Sequence, residues 1–400
     1  MTAIKSKPLI SWALYDFANT IFSAIVLTSF FPLYLTSLTG SNWQLGATST
    51  FAMAASGICL PLFGALADST GKTKSYLFRF TLVSVILLFI VGVIKNVPLI
   101  LICYIGSTFC FHAAMVFYNA LLPVVASPEI QGKVSGLGTG LGYLGTVISL
   151  PIAYQVEKLW GTPAVFMMAA IFFFICSIPS FLWVPETSVE SSVKFNWGLW
   201  KKEWQKLNEL IRIIAGSPQK MLFFGGHFFV VDALNGTILW FMVYAREVFH
   251  PGTHALIGLL LAVNFSAFLA GILYGFLTDR FGAYPMLLGA SGFLVLTLFL
   301  LGVTQNFAQF SWVVIIGGAF AISGIWTSGR KVLIELAEEQ KIGQYFGLYG
   351  LTTKLSVIGS LVFAVISDVM GFHAALMILL FPAAIGFGLL TVSAASSQKS

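Results

Sequence analysis

The sequence predicts an all-α membrane protein in which twelve transmembrane helices form two pseudo-symmetric six-helix bundles. Three observations predict this fold class. The 400 residues are 58% hydrophobic and 9% charged, with a mean hydropathy of +0.92, whereas a soluble domain carries roughly 25% charged residues. Twelve apolar runs are long enough to cross a bilayer, which takes about 20 residues. One loop motif occurs twice, once in each half of the chain.

The twelve apolar runs are separated by short polar segments. Every backbone polar group inside lipid must be hydrogen-bonded within the protein, so runs of this length form helices. A β-barrel would show short alternating segments instead. The runs lie at residues 9–37, 44–67, 76–95, 98–122, 134–156, 163–184, 220–245, 254–278, 283–304, 307–328, 343–366 and 371–393.

Basic residues are distributed unequally between the two sides of the expected membrane. With a cytoplasmic N-terminus, most of the 21 Lys and Arg residues fall in cytoplasmic segments, and only Lys95, Lys158 and Arg246 fall on the opposite side. Cytoplasmic loops of membrane proteins carry such an excess. We therefore expect both termini in the cytoplasm. The net charge of +6 then reflects topology and indicates no nucleic-acid partner.

The longest polar stretch divides the runs into two sets of six. It predicts an N-terminal bundle at 1–184, a cytoplasmic linker at 185–219 and a C-terminal bundle at 220–400. Within the linker, apolar residues recur at helical spacing among basic ones. This pattern indicates an amphipathic helix on the inner membrane surface, beside anionic headgroups. A plain tether between the halves and a regulatory target both stay open.

The repeated motif is a G-x-L-x-D-x-x-G turn that returns after 211 residues. Its aspartates follow apolar runs and are expected at helix–loop junctions. A carboxylate there can accept hydrogen bonds from a facing helix N-terminus and act as a gating latch, while glycines allow close approach and a tight turn. An ordinary capping aspartate is the alternative. The candidate gating residues are Gly64, Asp68, Gly71, Asp279, Arg280 and Gly282.

A few polar residues fall inside the apolar runs. A charged side chain near a helix centre costs about 2.5–3.5 kcal/mol on insertion scales, so such residues usually face a cavity and mark a solute or ion path. The alternative is a structural Asp–Lys pair. The pair Asp16 and Asn19 also returns as Asp232 and Asn235, in agreement with an internal repeat. The candidate substrate or coupling residues are Asp16, Asn19, Tyr118, Asn119, Asp232, Asn235 and Lys354.

The duplicated loop, the twelve runs, the basic linker and the Pro185-Glu186-Thr187 segment together resemble the major facilitator superfamily. Finer matches resemble the branch that contains the fungal autophagy-related vacuolar amino-acid effluxers and many uncharacterised bacterial members. These matches are residues 11–20, 117–123 and 346–350, the last followed by Lys354. Ser69 stands where the superfamily loop usually has Arg, so the full charge relay of that loop is not expected.

The resemblance implies a secondary active transporter of a small polar solute that works by alternating access, with amino-acid efflux as the expected activity. It also implies that the first, fourth, seventh and tenth membrane spans surround a cavity and that the eleventh span lies at the interface between the halves. A co-transported proton or cation, a monomer and the bacterial inner membrane are further expectations. Export of drugs or other metabolites and a non-transporting sensor or scaffold stay open. We expect no enzyme activity, cofactor or metal site, since no nucleotide loop, metal motif or nucleophile elbow is present.

Overall fold

The computed structural model describes residues 6–39, 42–186, 197–356 and 358–397, and these contain helices but no β-strand. The predicted cytoplasmic termini and residues 187–196 of the predicted linker lie outside the described residues. Six helices precede the linker. They are α1 (Ser6–Thr39), α2 (Asn42–Thr70), α3 (Thr73–Val93), α4 (Val97–Val125), α5 (Gln131–Trp160) and α6 (Thr162–Trp183).

The rest of the chain begins with the linker helix and continues with seven further helices. They are α7 (Trp197–Gly216), α8 (Pro218–Phe249), α9 (Thr253–Phe281), α10 (Ala283–Gly302), α11 (Phe307–Leu336), α12 (Ile342–Leu355), α13 (Ile358–Met370) and α14 (Phe372–Ser396). Several begin at side chains that accept a backbone N–H: Asn96 caps α4, Ser217 caps α8 and Asn306 caps α11.

Eleven helices in the described part of the chain are long and apolar enough to cross a membrane. Large apolar side chains such as Leu33, Trp160 and Trp312 are exposed on them, which is typical of lipid-facing surfaces because soluble proteins rarely expose large apolar patches. The protein is therefore an integral, multi-pass membrane protein.

The run predicted as one helix at residues 343–366 consists of two shorter ones, α12 and α13. The first helix ends at Leu355 and the second begins at Ile358; Ser356 lies in a turn, the Gly359 N–H is bonded to a side chain of another helix, and Val357 is outside the described residues. The eleventh span is therefore discontinuous. Two other spans keep their length but contain π-helical stretches, at Ser23–Phe30 in α1 and Val314–Gly318 in α11.

The chain divides into two compact units. The first consists of Met1–Leu207 and Ala337–Leu351, and the second of Asn208–Leu336 and Thr352–Ser400. The chain thus passes from the first unit to the second within α12, near the end of that helix. The domain boundaries at 184 and 219 stay a prediction.

In the first unit, α1 packs along the glycine-rich face of α5. A Cβ at Gly142 would lie 2.7 Å from Thr20 Oγ1, and one at Gly145 would lie 2.8 Å from the Phe17 carbonyl oxygen. Glycine permits this approach because it carries no Cβ. Small residues of this kind allow close helix packing in lipid, where apolar burial does not drive association.

In the second unit, α8 packs equally closely on α14. A Cβ at Gly386 would lie 2.7 Å from the Gly226 carbonyl oxygen, so these two helices meet backbone to backbone.

The linker helix α7 contains the boundary between the two units, which falls after Leu207. On this helix, Leu207, Leu210 and Ile214 are buried, whereas Trp204 and Ile211 are exposed. The linker helix therefore has one apolar stripe covered by protein and another that is not.

Candidate functional site

The first copy of the repeated turn connects α2 to α3. Gly71 has a φ of +62°, a conformation that glycine adopts without strain. The Asp68 carboxylate binds the first turn of α12: Oδ1 accepts from the Gly343 N–H at 2.7 Å and Oδ2 from the Gln344 N–H at 2.8 Å. A carboxylate at this position satisfies free N–H groups and the positive end of the helix dipole.

Glycines on both helices allow α2 and α12 to lie this close. Gly64 and Gly343 face each other so tightly that a Cβ on Gly64 would overlap the Gly343 carbonyl, and one on Gly343 would lie 2.6 Å from Asp68 Oδ1. One turn further along α12, a Cβ on Gly347 would lie 2.6 Å from the Leu60 carbonyl oxygen. The Asp68 contact is therefore supported by backbone packing over more than one turn.

The second copy of the turn has different chemistry. Asp279, near the end of α9, forms an ion pair with Lys331 of α11: Oδ1 lies 2.6 Å from Nζ, and both side chains are buried. Gly282 has a φ of +93° and ends the helix, and Arg280 is exposed over the Phe281 ring. The pairing with Lys331 was not predicted from the sequence. Arg330 and Lys331 are both buried within α11; the side of the membrane on which they lie stays a prediction.

Glu186 is a second residue whose contact the sequence does not reveal. Its carboxylate accepts hydrogen bonds from the N–H groups of Lys74 (2.6 Å) and Ser75 (3.1 Å) and from the Ser75 hydroxyl (2.8 Å). It therefore caps α3, which begins directly after the first turn. The Pro185-Glu186 segment marks the position but not the partner, which lies 112 residues earlier in the chain.

Asp16, Asn19 and Tyr118 lie together in the first unit. The Tyr118 ring is stacked between Trp12 and Tyr15, with centroids 4.3 and 5.0 Å apart, and Trp12 Nε1 donates to the Tyr118 carbonyl oxygen at 2.8 Å. Asn19 Nδ2 donates to Asp16 Oδ1 at 3.3 Å. The structure thus gathers three of the four candidates of this bundle around a buried aromatic stack.

A glycine on α5 leaves room for the polar ends of this group. A Cβ at Gly138 would lie 3.0 Å from the Tyr118 hydroxyl and 3.1 Å from Asp16 Oδ2. Asn19 Oδ1 is buried without a hydrogen-bond partner in the described part of the chain, and so is Oδ1 of Asn119, the residue after Tyr118. The group therefore offers acceptors, and a complementary ligand would be a donor or a cation.

Asp232 and Asn235 of α8 both contact the break between α12 and α13. Asp232 Oδ1 accepts from the Gly359 N–H at 2.7 Å. Asn235 Nδ2 donates to the carbonyl oxygen of Ser356 at 3.0 Å and lies 3.4 Å from its hydroxyl. The two predicted residues are thus brought together, at a helix break that the sequence did not predict.

Lys354 lies in the last turn of α12, just before the break. It is half-buried, and within the described residues no ion pair joins it to a carboxylate. Lysine near a helix C-terminus interacts favourably with the helix dipole, but that interaction is not an ion pair with a carboxylate. Asp232, the other charged candidate of the second unit, is engaged by the α13 backbone instead.

A family model described as "Vacuole effluxer Atg22 like" matches residues 46–399. The uncharacterized MFS-type transporter YxiO of Bacillus subtilis is 26% identical over 90% of this chain and 88% of its own length. Multidrug resistance protein MdtG of Enterobacter lignolyticus is 26% identical over 94% of this chain and 88% of its own length. Autophagy-related protein 22 of Eremothecium gossypii is 21% identical over 91% of this chain and 86% of its own length.

Among solved structures, the human organic anion transporter MFSD10 superimposes with a TM-score of 0.77 at 14% identity, covering 96% of this chain and 99% of that one. At this identity the likeness shows the fold, which is the major facilitator fold. Together with the family match, it shows a membrane transporter for a small-molecule solute and not an enzyme. The chain belongs to the Atg22-like family of vacuole-effluxer relatives, within the major facilitator superfamily.

Proposed function

We propose that this transporter moves an amphoteric solute, an amino acid or a close chemical relative, by alternating access. The observation that carries the proposal is Lys354, a half-buried cation in a membrane span that no described carboxylate neutralises. A lysine midway along a membrane-spanning segment, as Lys354 is in the predicted run at 343–366, costs about 2.5–3.5 kcal/mol on insertion scales. Binding the carboxylate of a solute compensates this cost when the transporter is loaded.

The acidic group of the first unit supplies the opposite chemistry. Asp16 and the free Oδ1 atom of Asn19 are acceptors with little exposure. Such a set suits a proton, an alkali cation or an ammonium group. We assign this group of acceptors to coupling, so that binding of a proton or cation near Asp16 drives transport of the solute. Asp16 suits this role better than Asp232, whose carboxylate caps α13.

Asp68 is proposed as the gating latch. Its two hydrogen bonds hold the N-terminus of α12 on α2, and their release frees one end of the helix that carries Lys354. The Asp279–Lys331 pair is proposed as a fixed brace in the second unit. The protein is further proposed to be a monomer in a bacterial inner membrane, with cytoplasmic termini and α7 against the inner leaflet.

Multidrug export is the second candidate function, because the MdtG relative matches most of the chain. That function predicts bulky apolar solutes without a required carboxylate. A cavity of that kind has no need of a lysine without an anionic partner, so Lys354 favours the amphoteric solute. Counterflow with amino acids and with cationic dyes separates the two functions.

The test is counterflow in proteoliposomes with each of the twenty radiolabelled L-amino acids, and in parallel with a set of cationic dyes. We expect at least one amino acid to exchange, and its decarboxylated amine not to compete. Lys354→Ala should weaken binding about 10- to 150-fold, the effect of one charged hydrogen bond, while Lys354→Arg should retain part of it. Lys95→Ala, in an exposed loop, is the matched control. Exchange of dyes but of no amino acid would refute the proposal.

A further inference from the structure

The α12–α13 break creates polar groups that a membrane span does not normally expose. Where a helix ends, its last carbonyl groups lose their intrahelical partners, and where the next begins, its first N–H groups have none. Within lipid these groups must be satisfied by protein. Ser356 N still bonds to the Thr352 carbonyl oxygen at 2.9 Å, so regular hydrogen bonding continues to Ser356.

One turn of α8 binds one backbone group at each end of the break. Asp232 provides an acceptor for the Gly359 N–H at the start of α13. Asn235 provides a donor for the Ser356 carbonyl at the end of α12. Residues three apart share one face of a helix, so the acidic and the amide side chain reach the two ends from the same side. Each has the hydrogen-bonding sense that its end requires.

The surrounding packing is built for this contact. A Cβ at Gly359 would lie 2.7 Å from Asp232 Oδ2, and one at Gly236 would lie 3.6 Å from the Gly359 carbonyl carbon. Four residues beyond Gly359, the Phe363 ring stacks on Trp240 with centroids 5.0 Å apart. The beginning of α13 is therefore fastened to α8 at two successive points.

The first unit shows what the same pair does without a break. Asn19 there donates to Asp16 itself, and both lie beside α5, which is continuous from Gln131 to Trp160. The amide of Asn19 thus donates within its own helix, whereas the amide of Asn235 donates to the end of another helix.

We propose that Asp232 and Asn235 are positioning residues that hold the eleventh span broken at Ser356 and thereby set the location of Lys354, without themselves binding solute or carrying the coupling charge. Their task is hydrogen bonding, and Asn caps a helix about as well as Asp. A neutral asparagine at 232 therefore suffices, whereas a coupling or ammonium-binding role requires the carboxylate. The link to transport rests on the proposed role of Lys354; the placement of the break does not.

The experiment reads the position of residue 354 without any solute. In a background with the four native cysteines replaced, the thiol introduced by Lys354→Cys is labelled with a charged methanethiosulfonate, and hydrogen exchange of the Gly359 amide is measured in nanodiscs. Each is repeated with Asp232→Ala, Asp232→Asn and Asn235→Ala. The control is Asn264→Ala, whose side chain donates to the Leu260 carbonyl oxygen within its own helix.

We expect Asp232→Ala to speed Gly359 exchange about tenfold, the effect of a lost cap, and to change the rate of thiol labelling at position 354 several-fold. Asn235→Ala should also change the labelling rate, while Asp232→Asn and Asn264→Ala should stay within twofold of the parent in both measurements. If Asp232→Ala does not fold, Asp232→Asn and Asn235→Ala still decide. Unchanged labelling at position 354 in Asn235→Ala, or loss of the parent pattern in Asp232→Asn, would overturn the proposal.

Transport then separates this proposal from that of Lys354. With the amino acid found by counterflow, Asp232→Asn should retain most of the flux. An inactive Asp232→Asn whose labelling at position 354 is normal would assign Asp232 a charge role and refute the positioning role. Loss of flux in Lys354→Ala is a separate result, since it tests the solute-binding lysine and leaves the break intact.

Discussion

Replacing Asp68 tests whether the contact between α2 and α12 governs transport. Asp68→Asn keeps one oxygen acceptor but places an NH₂ group opposite a backbone N–H, so one of the two hydrogen bonds to Gly343 and Gln344 is lost together with the negative charge. Asp68→Ala removes both bonds. The side chain lies beside a tight loop and not in the core, so folding and insertion should proceed in both variants.

The magnitude follows from the two short contacts, 2.7 and 2.8 Å long. A hydrogen bond to a charged group contributes about 1.5–3 kcal/mol, and a charge at a helix N-terminus about 0.3–1 kcal/mol. Asp68 is half-buried and water replaces part of the lost interaction, so we take about 2 kcal/mol for Asp68→Asn, from the low end of these ranges. This shifts the equilibrium between latched and released α12 roughly 30-fold, at about 1.4 kcal/mol per factor of ten.

Hydrogen exchange at the Gly343 and Gln344 amides measures the latch directly, because both N–H groups are donors to Asp68. We expect exchange to accelerate about 30-fold in Asp68→Asn and further in Asp68→Ala. Ser69→Ala is the control, since the Ser69 hydroxyl donates to Ala65 within α2. Flux is measured on the same preparations and should fall in both Asp68 variants.

Two results would refute this reasoning in different ways. Unchanged exchange at Gly343 and Gln344 in Asp68→Ala would show that the carboxylate does not protect the α12 N-terminus. Faster exchange with flux equal to the wild type would show that the contact exists but does not gate. If Ser69→Ala accelerated exchange at Gly343 and Gln344 as much as Asp68→Asn does, the effect would belong to the loop as a whole and not to the carboxylate.

Three further changes test the contacts that surround the latch and the break. Asp279→Ala leaves the Lys331 ammonium buried and uncompensated, so it should destabilise the protein by about 3–5 kcal/mol. Adding Lys331→Met should restore most of the melting temperature. An Asp279→Ala variant that melts like the wild type would contradict the proposed bracing role of the ion pair. Glu186→Ala should cost about 0.5–2 kcal/mol and speed exchange in the first turn of α3, with Glu186→Gln intermediate. Gly359→Ala should lower the melting temperature, because its Cβ would meet Asp232 Oδ2; an unchanged melting curve would show that α13 can shift.

The membrane spans could be predicted because the constraint that forms them is local. Each apolar run must hydrogen-bond its own backbone in lipid, so length and hydropathy suffice. Hydropathy still left their extent open. The predicted run at 307–328 continues as helix to Leu336, and Lys331 in this extension has a buried partner in Asp279. A charge pattern alone cannot distinguish a paired lysine inside a helix from one in a loop.

The candidate residues could be found from sequence, but not their partners. Asp232 and Asn235 stand out as polar residues in an apolar run, yet their bonds go to Gly359 and Ser356, more than 120 residues away. The polar residues Thr352, Thr353, Lys354 and Ser356 interrupt the apolar run at 343–366, but polar residues alone do not show that a helix ends there. The groups at the break bond to an acceptor and a donor of α8, and those contacts are tertiary information.

The two halves show that a repeated sequence need not repeat its chemistry. Asp68 binds helix N–H groups, whereas its counterpart Asp279 binds an ammonium group. Asn19 bonds to its own neighbour Asp16, whereas its counterpart Asn235 bonds to the end of a broken helix. Asp68 binds the first turn of α12, and Asn235 binds the carbonyl of Ser356, which directly follows α12. Under the proposed roles of Asp68 and Lys354, α12 therefore links the gating contact to the solute-binding lysine.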